Sequence, residues 1–120
     1  MKQIILTLVV SLVLTIILEE AAALISGVRK GFDLAVILFT NTLTNPVVVF
    51  AGLLLANFTQ IPRVIYVTVL ELIVFVTEAL IFKKLLYAEK PSPFILSLIL
   101  NGVSFVIGTP LANKIIELLL

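Results

Sequence analysis

The chain contains no cysteine, no histidine and no tryptophan. Without cysteine there are no disulfides, thiolate metal sites or cysteine nucleophiles. Without histidine the commonest general base, the commonest transition-metal ligand and the usual neutral-pH switch are gone. Without tryptophan an interfacial aromatic belt must rest on Tyr66, Tyr87, phenylalanines and the Lys and Arg side chains. Charge is also scarce. Only 12% of the 120 residues are charged and the net charge is +1, which argues against a nucleic-acid partner.

Apolar residues take up what is left: 62% of the chain, with a mean hydropathy of +1.32. No soluble core of this size needs so much apolar surface. The composition indicates an integral membrane protein, one transmembrane domain over residues 1–120, with almost nothing outside the lipid bilayer. Apolar runs at about 4–25, 34–56, 64–86 and 94–113 predict four spans joined by short loops. The expected fold is therefore all-α, an up-down-up-down four-helix bundle. The first run, preceded by Lys2, also fits a signal peptide. However, Glu19 and Glu20 sit where a cleavage region would be, and no small-x-small site follows. The run is therefore taken as a span.

The third run contradicts itself, because it carries Glu71 and Glu78 inside an apolar stretch. Seven residues make almost two helical turns, so the two carboxyls share a face about 10 Å apart along the axis. Thr68, Phe75 and Phe82 are expected on that face too. A carboxyl at bilayer depth costs on the order of 3 kcal/mol, so such groups are normally turned inward and used. In the first span Thr7, Ser11, Thr15 and Glu19 recur every four residues as a polar stripe, and Glu20 points about 100° away. In the second, Asn41 and Asn45 stand one turn apart. Pro46 should free the Thr42 carbonyl and kink the helix, a candidate gate. In the fourth, Ser97, Asn101, Ser104, Gly108 and Ala112 form a seam of small and polar residues suited to close packing. Asp33 is expected to cap the second helix, and Pro62 suits the start of the third.

From the 1.5 Å rise, Glu19, Asn41, Glu78 and Asn101 each lie roughly 10–13 Å from the face carrying loops one and three. Asn45, Glu71 and Ser104 lie about one to two turns deeper. No lysine or arginine lies at that depth to neutralise the carboxylates. Either they are protonated or a cation is bound. Oxygen ligands of this kind suit H⁺, Na⁺, Mg²⁺ or Ca²⁺, with Glu71, Glu78 and Glu19 as candidate metal ligands. The alternative is a structural network of Glu and Asn that fixes packing.

These positions together form a pattern: Glu19 or Glu20, Asn41, Thr44, Asn45 and Pro46, Glu71 and Glu78, then Ser97, Asn101, Ser104 and Gly108. The pattern resembles a group of small prokaryotic multi-spanning membrane proteins with no established activity. That resemblance implies four helices and names no substrate; the expected location is a prokaryotic cytoplasmic membrane. Small multidrug resistance transporters share the length and a glutamate in the first span, but their Trp and Tyr box is missing here. Small dimeric fluoride channels have the right size, but their Thr- and Phe-rich filter is absent. The Glu19-Glu20 pair is similar to the acidic motif of CAAX-type intramembrane proteases, which also need histidines.

The expected function is transport or conduction of a small cation or cationic solute. Glu78, Glu71 and Glu19 would carry the charge, with Asn41, Asn45 and Asn101 coordinating. A membrane scaffold or accessory subunit is the second reading. An enzyme, which would need a glutamate-bound metal and a lipid-like substrate, is the third. One small bundle barely encloses a pathway, so a homodimer or larger assembly is expected. Loops one and three, with the adjoining helix ends, hold Arg29, Lys30, Lys83, Lys84 and Lys90, against Lys2, Arg63 and Lys114 on the other side. This bias puts loops one and three in the cytoplasm and the termini outside, and it is small enough to leave dual insertion open.

Overall fold

Polar side chains are inside this protein and large apolar ones are outside, the reverse of a water-soluble fold. Glu19, Asp33, Asn41, Glu78 and Ser97 are buried, while Ile25, Leu43, Val64 and Val106 stand exposed. The computed structural model describes residues 2–87 and 92–120. Its helices are α1 (Lys2–Ser26), α2 (Gly31–Phe58), α3 (Arg63–Leu85), α4 (Pro93–Val103) and α5 (Thr109–Leu119). A π-helical turn, Ser104–Gly108, joins α4 to α5, and the three together form one span, Pro93–Leu119. Four helices are thus long and apolar enough to cross a membrane, and this all-α arrangement fits an integral membrane protein. The long axis of 41 Å exceeds the ~30 Å hydrocarbon core, so the helix ends reach the headgroups.

The helices form a ring in which α1 packs on α2, α2 on α3, α3 on α4, and the whole fourth span on α1. Short loops enforce this antiparallel order. The end carrying loops one and three is sealed. Ala23, Val28, Ile37, Phe82, Leu96 and Leu100 are fully buried there and pack as one cluster. In lipid such contacts gain dispersion energy rather than hydrophobic energy, so close approach matters most, and Ala22 and Ala23 allow it on α1.

Loop one explains the seal. Gly27 takes φ +109°, and the N–H groups of Gly27 and Val28 donate to Leu24 O and Ala23 O. This is a Schellman ending, which glycine adopts without steric cost, and it folds Val28 back into the core. The Arg29 guanidinium also donates to Leu24 O. Phe32 meets Tyr87 edge-on at 5.1 Å, and Lys30 Nζ lies 5.1 Å from the centre of the same ring.

Several expectations need correction. Asp33 does not cap α2. Lys30 holds the cap position, and Asp33 lies within the first turn, where its buried carboxylate accepts the Tyr87 N–H at 2.8 Å. A carboxylate there complements the helix dipole and ties loop one to the chain leaving α3. Pro93, expected in a loop, opens α4 behind a Ser92 cap. The fourth helix does not stop at 113 but runs to Leu119, and the π turn interrupts it. Pro110 supplies a reason for the interruption, since it has no N–H to offer Val106. Residues 88–91, including Lys90, lie outside the described residues.

The π turn brings Gly108 against α1, where an added Cβ would stand 3.2 Å from Leu18 Cδ1. Gly108→Ala should be nearly neutral, because the Leu18 side-chain end can yield. Gly108→Leu should cost about 1–3 kcal/mol through overpacking. Thermal unfolding in detergent checks this; equal midpoints for the two variants would contradict the close approach.

Candidate functional site

Glu78 is the centre of the interior. Three helices converge on it. Asn101 Nδ2 of α4 donates to Glu78 Oε1 at 3.0 Å, and the Thr44 hydroxyl of α2 lies 2.8 Å from Oε2. Each partner is itself held. Asn101 Nδ2 also reaches Ser97 O at 2.9 Å, and the Ser97 hydroxyl donates to Phe75 O of α3 at 2.9 Å. Thr44 Oγ1 lies 2.9 Å from Thr40 O as well. One hydroxyl proton cannot serve both Thr40 O and Glu78 Oε2. A protonated Glu78 resolves the conflict by donating to Thr44, which then donates to Thr40 O. An ionised Glu78 takes the Thr44 proton and leaves Thr40 O with its helical bond alone.

Beside this group is a small cavity of about 40 Å³, lined by Thr15 and Glu19 of α1, Asn41, Thr44 and Asn45 of α2, Glu71 and Glu78 of α3, and Asn101 and Ser104 of the fourth span. The structure thus brings together all six residues that the sequence nominates for binding. Glu19, not Glu20, is the inward member of the acidic pair, 1% exposed, with Asn41 and Ser104 facing its carboxyl. Several atoms here have no hydrogen-bond partner: Glu19 Oε1, both polar side-chain atoms of Asn41, and Asn45 Oδ1. The Asn45 amide donates to Thr15 Oγ1 at 3.1 Å. Oxygen acceptors predominate, and among the described residues no Lys or Arg lines the cavity. A buried acceptor left unpaired costs about 1–3 kcal/mol, so this cavity favours water or a cation as its guest.

A second, larger cavity of about 370 Å³ begins where the first ends. The two share Thr15, Asn45, Val48, Glu71 and Ser104. The larger one extends along Thr7 and Ser11 toward Arg63 and Ile116, at the end that carries loop two and the termini. The polar stripe of α1 therefore lines both. We call the large cavity the vestibule and the small one the chamber. The vestibule is open on one side, because no Cα of α3 comes within 8 Å of the π turn or α5. Thr68, expected on the inner face of α3, is exposed for that reason. Beyond the chamber toward loops one and three lies the apolar seal.

Comparison with known proteins supplies no relative: no family model matches the chain, and no curated protein or solved structure matches it significantly.

Thr42 and Pro46 are not part of either cavity. Thr42 is exposed, its hydroxyl donates to Leu38 O at 2.8 Å, and α2 runs on as a helix through Pro46. Ser97 and Gly108 serve packing within the chain, while Ser104 lines both cavities. Among the described residues no three carboxylates stand close enough to hold a metal ion together. Sequence reasoning missed the Thr44 bond to Glu78 and the Thr15 bond to Asn45. A usable signal existed for each: Thr44 lies three residues past Asn41 on the same face, and Thr15 belongs to the α1 stripe.

The hydrogen-bond geometry gives a stability test. Gln at position 78 can accept from Asn101 and donate to Thr44, so Glu78→Gln should unfold within a few degrees of wild type. Glu78→Leu removes the acceptor that joins them, leaves Thr44 with Thr40 O and Asn101 with Ser97, and should cost about 0.5–1.5 kcal/mol for each bond lost. Similar losses in the two variants, read by thermal unfolding, would mean that Glu78 is not the hub.

Proposed function

We propose that this protein is a small membrane carrier whose chamber binds one monovalent cation, a proton or Na⁺, between Glu19 and Glu78. The observation that supports this most is the set of unpartnered oxygens on Glu19, Asn41 and Asn45 around a chamber of about 40 Å³ without any basic side chain. Two carboxylates facing one low-dielectric cavity repel, and a shared proton or cation relieves that repulsion. The size suits a dehydrated ion or one to a few waters. Divalent ions fit less well. Ca²⁺ takes six to eight oxygens, Mg²⁺ gives up its waters reluctantly, and among the described residues no three carboxylates are placed to hold an ion together.

On this reading Glu78 is the coupling residue, Glu19 the second charge, and Asn41 and Asn45 orient the ion. Glu71 stands where chamber and vestibule meet. An opening at one end and a seal at the other is what a carrier needs in one of its two access states. With the topology read from the basic residues, the opening faces outside. Both cavities are built by a single chain, so the proposed activity does not depend on the expected homodimer.

A structural role has one observation in its favour: both oxygens of Glu78 already have partners. Calorimetric titration of purified protein with Na⁺ at several pH values separates the two readings. Saturable binding is expected, weakened about tenfold or more in Glu19→Gln and in Glu78→Gln. Absence of any Na⁺ or proton response in the wild type, with both variants as stable as the parent, would favour the scaffold.

A further inference from the structure

A proton or a sodium ion needs only a narrow way to the chamber, and the vestibule is larger than that role requires. Its volume of about 370 Å³ falls in the range of about 300–1,000 Å³ typical of sites for small organic molecules. Its walls are mixed. Ser11 and Thr15 present hydroxyls on one side, and Leu53 and Leu70 present apolar surface on the other. Among the described residues two ionisable side chains line it, Glu71 at the inner end and Arg63 at the mouth. They are eight residues apart on α3, about 12 Å along the axis. The acidic residue thus lies at the floor and the basic one is remote from it. Beside this floor, no Cα of α3 comes within 8 Å of the π turn or α5, and Thr68 of α3 is exposed.

We propose that the vestibule is a binding site for a small amphipathic organic cation. Its ammonium-type head sits against Glu71, its apolar body lies along Leu53 and Leu70, and it enters from the bilayer where α3 and α5 do not pack together. The head matches the acidic floor and the body matches the apolar wall, and access from lipid suits a solute that partitions there. The proposal rests on the carrier reading in one respect, that an interior carboxyl can ionise when a cation is bound beside it.

The test uses benzyltrimethylammonium as the probe and neopentylbenzene as its neutral isostere. Each is dialysed to equilibrium against the full chain in lipid nanodiscs, with empty nanodiscs as the correction for partition. One saturable site is expected for the cation. Affinity should fall about tenfold or more in Glu71→Gln. It should fall comparably in Gly52→Leu, whose new side chain grows into the vestibule with its Cβ 3.9 Å from Leu70 Cδ1, an ordinary contact. Equal affinity in the wild type and both variants overturns the proposal, as does neopentylbenzene binding as tightly as the cation. Sodium titration of the same samples separates the two claims. Sodium binding without a saturable organic site ends the vestibule proposal and leaves the chamber. An organic site without any sodium or proton response does the opposite.

Discussion

Glu78 and the hydrogen bonds around it are the constraint on which the rest of the interior depends. Inside a bilayer no water is at hand to compensate a misplaced polar group, so a buried carboxyl must bring its partners with it. Here Thr44 comes from α2 and Asn101 from α4, and Ser97 secures α4 to the backbone of α3. Three helices thereby acquire a fixed register. Apolar packing against lipid specifies registers poorly, because lipid tails are as apolar as leucine. The same group is also the chemically versatile one, since the shared proton of Thr44 gives it two consistent bonding patterns. Structure and proposed activity thus draw on one side chain.

Around this hub the two halves of the bundle differ. Toward loops one and three the helices close on Ala22, Ala23, Ile37 and Phe82, and the ends are tied by the Gly27 turn and by Asp33. Toward loop two and the termini they diverge. The π turn sends α5 along α1 and away from α3, and the vestibule is the space left over. A π turn holds one residue more than an α turn, so it is a place where a helix can shift its register at low cost. Its position opposite Glu19 and Glu71 puts that freedom next to the charged groups, through Ser104.

The sequence was most informative where physics allowed few choices. Long apolar runs give spans in any context, and carboxyls within them have to face inward, so the four helices and the gathering of Glu19, Asn41, Asn45, Glu71, Glu78 and Asn101 were legible from spacing alone. What could not be read depended on tertiary geometry. Asp33 looks like a cap because its partner, Tyr87, is far along the chain. Thr68 belongs by periodicity to the inner face of α3, but the fourth span has turned away from it. The π turn leaves no periodic signature, and a proline two residues beyond it reads equally well as a kink. Pro46 shows the converse: its local signal is strong, yet α2 continues as a helix past it and Pro46 itself lines neither cavity.

The claim that everything else builds on is an interior open from one end and sealed at the other. Because the chain has no cysteine, single substitutions give clean reporters for a membrane-impermeant thiol reagent applied to oriented vesicles. Ser11→Cys, in the vestibule, should react from the face carrying loop two and the termini and not from the opposite face. Leu100→Cys, in the seal, should be protected from both. Rapid modification of Leu100→Cys, or protection of Ser11→Cys from both faces, would contradict the half-open bundle.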